Sequence, residues 1–251
     1  MHTLRPFMTG FVARQKGLRP LSGCGPIMIA ILPMFAGLAS ASSLGVVADV
    51  SEATGDTPPP GWSIFWNAPD VAENGTVDLA SNPLGDLDAY EPMTWVKARS
   101  AYRVERAQRF AEADDQYVRY ISASNRVCHT GPGGRDAGAQ RYVIWAYTLQ
   151  ADDGTGVYGI TDSRLTTLND ERRAGDTLEV RIWVDRFEIA EPRVFTGKIE
   201  AGRFNQPLGR LEPGQTIYVA VGPDGSAFRD KFDIDFAIRR LDNTEPSNLT
   251  R

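Results

Sequence analysis

Short segments in which apolar and polar residues alternate with a period of two recur along the second half of this chain. The clearest are residues 178–185, 217–221 and 232–238. Alternation of this kind, bounded by Gly, Pro, Asn and Asp, is typical of antiparallel strands with one buried face. The pattern therefore restricts the chain to a fold built mainly from half-buried strands.

Upstream segments complete this prediction. Residues 142–149 are apolar on both faces, which predicts a central strand, and Asp152-Asp153-Gly154 predicts a turn into Val157–Thr161. Spaced strands without long helices between them indicate an all-β protein, an antiparallel β-sandwich of jelly-roll type. The composition of Ala98–Ala113, which is rich in Ala, Arg and Glu, predicts one short helix.

The first forty residues are typical of a secretory signal peptide. Basic residues precede a 13-residue apolar run, Ile27–Ala39, which Pro33 interrupts, and Ala39-Ser40-Ala41 supplies small residues for cleavage. A membrane-spanning helix needs about 20 apolar residues. We therefore expect a secreted or periplasmic protein with no membrane span after signal removal.

This interpretation divides the chain into four parts. Residues 1–41 form the signal peptide, and residues 42–60, which end in three prolines, form a stiff linker. Residues 61–241 form the β-sandwich domain, and residues 242–251 form a polar tail.

Signal removal would leave Cys128 and His129 as the only cysteine and the only histidine. It would also remove four cations and no acids, so the formal charge would change from −5 to −9. One cysteine excludes an internal disulfide, and two adjacent nitrogen and sulfur ligands are too few for a zinc site. The acidic balance argues against nucleic-acid binding, which needs clustered Lys and Arg.

Two stretches together resemble a module of bacterial secreted proteins. The first comprises His129–Gly133, Tyr142–Thr148 and Gly156–Ile160, and the second comprises Gly175–Val184, Leu211–Pro223 and Asp233–Ile238. These motifs are similar to the jelly-roll type of carbohydrate-binding module, a β-sandwich found alone or attached to extracellular polysaccharide-degrading enzymes. The resemblance implies an extracellular glycan as the partner. Some relatives carry a structural calcium ion near the last strand, and Asp233 and Asp235 occupy the matching kind of position, although calcium needs six to eight oxygen ligands.

Glycan-binding modules stack sugar rings on aromatic side chains. Alternation places Trp183 on the polar face between Arg181 and Asp185, which makes it the best platform candidate, with Tyr218 as its companion. Arg181, Asp185 and loop groups near His129 would then meet the sugar hydroxyls. The same pattern also fits a Trp183 that is covered by another segment and belongs to the core.

Three functions remain open at this point. Non-catalytic binding of a polysaccharide, with neutral glycans favoured by the acidic charge, is the first. A small polysaccharide lyase or hydrolase on the same scaffold is the second, with His129 as the candidate catalytic residue because it is the only imidazole in the mature chain. Tyr142, Tyr218 and many Arg residues are also present in the chain for such a mechanism. The third is a calcium-stabilised envelope or matrix domain that binds a protein partner.

Overall fold

The computed structural model describes ten parts of the chain: residues 45–71, 73, 77–78, 81–82, 84–104, 121–124, 127–130, 140–168, 177–224 and 231–242. The predicted signal peptide and most of the predicted polar tail lie outside the described residues. Within these residues, none of the helices has the length and apolar character that a membrane crossing needs.

Seventeen strands and three short 3-10 turns make up the described structure. The strands are β1 (Val46–Asp49), β2 (Trp62–Asn67), β3 (Asp70–Val71), β4 (Val77–Asp78), β5 (Tyr90–Pro92), β6 (Thr94–Val96), β7 (Ala101–Arg103), β8 (Ser122–Ala123), β9 (Cys128–His129), β10 (Val143–Thr148), β11 (Gly156–Thr167), β12 (Thr177–Val184), β13 (Phe187–Glu188), β14 (Arg193–Thr196), β15 (Gln206–Leu211), β16 (Thr216–Pro223) and β17 (Lys231–Arg240). The 3-10 turns are Val50–Ala53, Leu87–Ala89 and Lys97–Arg99.

The strands form two large antiparallel sheets. Sheet A has the order β15-β11-β17-β9-β8-β7-β6, with β1 also paired to β17. Sheet B has the order β13-β12-β16-β10-β2-β5, with β14 also paired to β12, and β3 and β4 pair separately. The prediction of an all-β antiparallel sandwich is confirmed, while the jelly-roll assignment stays a prediction.

The core lies between the two sheets. The aliphatic residues that alternation assigned to one face of β12 are all buried there, and so are the alternate residues of β16 and β17. Aromatic rings of the two sheets pack against each other in the core. The ring centroids of Trp62 in sheet B and Phe236 in sheet A are 6.2 Å apart, and those of Trp145 and Phe232 are 6.3 Å apart. Burial of these side chains supplies the main stabilisation of the sandwich.

The ordered domain begins before the predicted boundary at Gly61. Strand β1 pairs with β17, and Val50 and Ala53 of the following turn are buried in the core. Asp49 caps this turn by accepting a hydrogen bond from the backbone nitrogen of Ser51 at 2.8 Å. Part of the predicted linker 42–60 is therefore a strand of the sandwich, because Val46–Ala53 supplies apolar side chains that the core contains.

The helix predicted over Ala98–Ala113 is wrong for its first seven residues, and residues 105–113 lie outside the described structure. Residues 94–103 instead form an antiparallel hairpin of β6 and β7, in which Trp95 pairs with Tyr102. Ser100 takes a left-handed backbone conformation, with φ of 46°, at the end of the intervening turn. Contact between the Trp95 and Tyr102 rings, 5.2 Å apart, favours the hairpin over the local helix propensity.

One edge of β17 is split. Its other edge pairs with β11 from Phe232 to Arg240. At the split edge, β9 pairs only with Lys231 and Phe232, and β1 pairs only with residues 237–239. Between these two pairings, residues 233–236 have no strand partner at this edge within the described structure.

Candidate functional site

Trp183 is buried rather than exposed, which corrects its prediction as a flat platform. Its side chain is 4% exposed and packs on the outer face of sheet B with Tyr142, Ile144 and Ala220. The guanidinium of Arg181 lies over the indole ring of Trp183, with its central carbon 5.5 Å from the ring centroid. Trp183 therefore supports this face from below.

Residues 84–90, the segment that leads into β5 and includes its first residue, cover this outer face. Leu84 and Tyr90 from that segment pack against the buried cluster, together with Phe65 and Tyr218. This covering explains why alternation identified the correct face of Trp183 but not its exposure.

Two half-buried tyrosines lie at the surface of this cluster. The rings of Tyr90 and Tyr218 meet edge to face, with centroids 6.0 Å apart. Tyr218 lies directly opposite Trp183 in the pairing of β12 with β16. Burial raises the pKa of Tyr90 to about 12, so its phenol is neutral at physiological pH. We call Tyr90, Trp183, Tyr218 and Arg181 the aromatic face.

Two ion pairs border the aromatic face. Arg181 donates two hydrogen bonds to the carboxylate of Glu188, at 2.8 and 3.0 Å. Arg186 donates to both oxygens of Asp88, at 2.9 and 3.0 Å. The two parallel hydrogen bonds to Glu188 hold the Arg181 guanidinium above Trp183 and pair its positive charge.

Asp185 has a structural role in this arrangement. It occupies the turn between β12 and β13 with φ of 50°, and its carboxylate accepts hydrogen bonds from the Thr216 backbone nitrogen and the Gln215 side chain, both at 2.9 Å. Asp tolerates this left-handed conformation better than most residues. Asp185 therefore holds the hairpin against β16, and its contact with a ligand stays a prediction.

An acidic groove of about 380 Å³ begins at Ala89, next to Tyr90 in the chain. Its charged and amide side chains are Asp70, Asp86, Asp88, Glu91 and Asn82. The Asn82 amide donates to Asp70 at 3.0 Å and to the Ala68 carbonyl at 2.6 Å, which fixes one wall. The groove offers hydrogen-bond acceptors and a negative charge beside the aromatic face. No sequence signal identifies this groove, because Asp70, Asp88 and Glu91 belong to elements of two or three residues, which are too short to show a period-two pattern.

A buried carboxylate lies further along the same outer face. The hydroxyl of Tyr142 donates a hydrogen bond to Glu179, which is 7% exposed. Burial raises the pKa of both groups, and for Tyr142 the neighbouring carboxylate raises it further. The alternation of β12 assigned Glu179 to a solvent face, so the pattern did not predict this pair.

His129 lies on the other sheet. It is half-buried on β9, opposite Lys231 of β17 and Ser122 of β8. Burial, Lys231 and Arg103 lower the pKa of His129 from 6.5 to about 4, so the imidazole is neutral at pH 7. The adjacent Cys128 is fully buried, and burial raises the pKa of its thiol to about 12. His129 is therefore separated from Trp183 and Tyr218 by the thickness of the sandwich.

Asp233 and Asp235 lie on the outer face of sheet A. Arg164 contacts Asp233 at 3.4 Å, and burial raises the pKa of the Asp233 carboxyl. The described residues contain no cluster of three or more His, Cys, Asp or Glu side chains that could hold a metal ion. Two carboxylates beside a guanidinium do not fit the ligand set of the calcium ion that the resemblance implied.

Comparisons with known proteins give limited similarity. No family model matches the chain, and no curated protein matches it. The crystal structure of the Agl-KA catalytic domain is 14% identical over 44% of this chain and 23% of that chain, with a TM-score of 0.27. The structure of TmCBM61 in complex with β-1,4-galactotriose is 11% identical over 73% of this chain and 90% of that chain, with a TM-score of 0.25. Similarity this low does not define a shared fold, so the architecture rests on the strand pairing of this chain.

Proposed function

We propose that this protein is a secreted, non-catalytic carbohydrate-binding domain that recognises a neutral extracellular polysaccharide. The observation that carries the proposal is the aromatic face with the acidic groove beside it. Secretion is inferred from the signal-peptide pattern of residues 1–41.

The aromatic face supplies the apolar contacts that a sugar ring needs. Pyranose rings expose apolar C–H faces, and the half-buried rings of Tyr90 and Tyr218 present apolar surface beside polar hydroxyl groups. Trp183 and the covering segment hold these two rings in place, which reduces the entropy lost on binding. The platform is therefore the tyrosine pair, with Trp183 as its support.

The acidic groove supplies the polar contacts. Carboxylates accept hydrogen bonds from sugar hydroxyls, and Asp86 and Glu91 line the groove close to Tyr90 in the chain, whereas the Asp88 carboxylate is paired with Arg186. Their negative charge repels uronates and sulfated sugars. The groove volume lies within the usual range of small-ligand pockets, which is about 300–1,000 Å³. A short stretch of neutral glycan fits this combination of size and charge.

The placement of the titratable groups favours binding over catalysis. A lyase mechanism needs a base and a charge-neutralising group at one sugar ring. His129 lies on sheet A, whereas Tyr142 and Tyr218 lie on the outer face of sheet B. The predicted catalytic groups therefore do not share a groove in the described structure.

The test is retention of the purified protein on insoluble neutral polysaccharides and on uronate polysaccharides, with reducing ends and unsaturated uronate absorbance measured in parallel. We expect retention on a neutral glycan without cleavage, and about tenfold weaker retention for Tyr218→Ala, since a tenfold change corresponds to the loss of about 1.4 kcal/mol, which is within the range of one stacking contact. Phe187→Ala is the matched control, because Phe187 is 75% exposed on the hairpin beside the face but lies outside it.

Two results would contradict the proposal. Cleavage of any glycan would show that the protein is an enzyme. Retention that is weakened equally by Tyr218→Ala and Phe187→Ala, or by neither, would show that the aromatic face is not the binding surface.

A further inference from the structure

A second concave site lies at the split edge of β17. The turn 50–54 after β1 borders it on one side and Ser124 at the end of β8 on the other. Because residues 233–236 have no strand partner at this edge in the described structure, the sheet is open between these borders. The opening is a cavity of about 180 Å³, which we call the split cleft.

The split cleft has a polar mouth. Asp233, Asp235 and Arg164 come from the outer face of sheet A, where they alternate with buried residues of β17 and β11. Ser51 and Thr54 add hydroxyl groups from the adjoining turn. The mouth thus contains two carboxylates as acceptors and a guanidinium as a donor.

The floor of the cleft is apolar and contains one unpaired donor. Val50, Ile234 and the indole of Trp145 line it, and Trp145 is 1% exposed. The indole nitrogen of Trp145 is buried and has no hydrogen-bond partner in the described part of the chain. Buried polar groups are usually paired, and leaving one unpaired costs about 1–3 kcal/mol. A ligand oxygen that reached this N–H would remove that cost.

The charges of the cleft select among ligand classes. A divalent cation would lie beside the Arg164 guanidinium, which already contacts Asp233 at 3.4 Å, and the two carboxylates provide too few oxygens. An anionic ligand would be repelled, because the two carboxylates of Asp233 and Asp235 outnumber the single guanidinium of Arg164. A neutral polyhydroxyl ring suits the cleft, because its hydroxyls both donate and accept while its C–H groups face the indole and the aliphatic side chains.

We propose that the split cleft binds a single neutral sugar unit, with the Trp145 indole nitrogen donating to a ring or hydroxyl oxygen and Asp233 and Asp235 accepting from hydroxyls. The volume is below the roughly 300 Å³ at which small-ligand pockets usually begin, so the cleft has room for one ring at most. This site is on the opposite sheet from the aromatic face and does not depend on the function proposed for that face.

The experiment is an NMR titration of the purified protein with free neutral hexoses, with the methyl glycosides and oligosaccharides of the same sugars, with glucuronate and with Ca²⁺. We expect a neutral hexose to shift the Trp145 indole N–H resonance downfield, which Trp145→Phe assigns by removing that resonance. Asp235→Asn should weaken the affinity about tenfold, because a neutral amide oxygen replaces the charged acceptor. If oligosaccharides also bind, the natural ligand is the terminal sugar of a glycan. If only the free hexose binds, the natural ligand is a soluble monosaccharide.

Asp235→Asn keeps the test decisive if Trp145→Phe unfolds the protein, since Asp235 is exposed. Glu200→Gln is the matched control, an exposed carboxylate outside the cleft. The proposal is overturned if no neutral sugar shifts the indole resonance, if glucuronate or Ca²⁺ shifts it as strongly, or if Glu200→Gln weakens binding as much as Asp235→Asn. Tyr218→Ala should leave this titration unchanged, which separates a failure of the aromatic face from a failure of the cleft.

Discussion

The hydroxyl of Tyr142 donates a hydrogen bond to the carboxylate of Glu179 across the full width of the intervening strand β16. The ring of Tyr142 lies directly over Gly222 of β16, at a position where an added Cβ would collide with it. The Tyr142–Glu179 pair therefore exists because the residue between them has no side chain.

The first prediction concerns this close approach. Gly222→Ala should displace the Tyr142 ring and break its hydrogen bond to Glu179, which costs about 1–3 kcal/mol of unfolding free energy. Urea denaturation measures the change. Gly55→Ala is the matched control, because nothing lies within 4 Å of a Cβ added at Gly55. Equal urea midpoints for the two variants would contradict the collision with Tyr142.

The second prediction concerns the buried carboxylate itself. Because burial raises the pKa of Glu179 above its ordinary value of 4.5, the folded state holds a proton that the unfolded state releases. Stability should therefore fall as the pH rises from about 4.5 through the raised pKa. Glu179→Gln keeps a neutral partner for Tyr142 and should remove this loss, so the variant should gain stability relative to the wild type over that window.

Thermal denaturation of both proteins from pH 4 to pH 8 measures the Glu179 effect as a difference. Glu188→Gln is the control, since Glu188 lies on the same face but is an exposed partner of Arg181. If the difference in melting temperature between the wild type and Glu179→Gln stays constant across this pH range, Glu179 is ionised in the folded state with an ordinary pKa.

The third prediction concerns His129. Its pKa is lowered from 6.5 to about 4, so the unfolded state binds a proton that the folded state does not bind between these values. The stabilisation that the neutral His129 side chain contributes should be complete above pH 6.5 and should be lost as the pH falls to about 4. His129→Asn should lose less stability than the wild type over this interval. An NMR titration of the His129 ring with a midpoint near 6.5 would disprove the lowered pKa.

The fourth prediction concerns Trp183. Its side chain is buried between Arg181 and the segment that covers the outer face, so Trp183→Ala should cost about 3–5 kcal/mol of unfolding free energy. Tyr218→Ala should cost much less, because Tyr218 is half-buried at the surface of the same cluster. Calorimetry of the two variants compares these costs. A Trp183→Ala variant with unchanged stability would restore Trp183 as an exposed platform.

The alternation of apolar and polar residues predicted the strands and their inner faces well. Strands β10, β12, β16 and β17 lie within one or two residues of their predicted bounds, because burial between two sheets leaves a period-two pattern in the sequence. The outer faces were predicted less well. Trp183 and Glu179 sit at outward positions, yet a distant segment containing Leu84 and Tyr90 covers that face.

The candidate sites depend on contacts between residues far apart in the chain. Arg181 and Trp183 were placed on the correct face, but their predicted partner His129 lies on the other sheet. The split cleft combines a turn that the sequence analysis assigned to a linker with Asp233 and Asp235 of the last strand. The order of the strands in the sheets determines both the position of His129 and the composition of the split cleft. A period-two pattern contains no information on which strands become neighbours.

The pairing of β1 with β17 brings the entry and exit of the domain to a single corner. Val46 lies opposite Arg239, and the Arg240 backbone nitrogen donates to the Gly45 carbonyl at 2.7 Å. A domain of this kind can be inserted into a surface loop of another chain, or circularly permuted through a short connector, without distorting either sheet. Opposing forces on residues 45 and 242 would open the hydrogen bonds of β1 one after another. The architecture therefore suits an appendage carried at one point, and it is poorly suited to transmit tension along a tether.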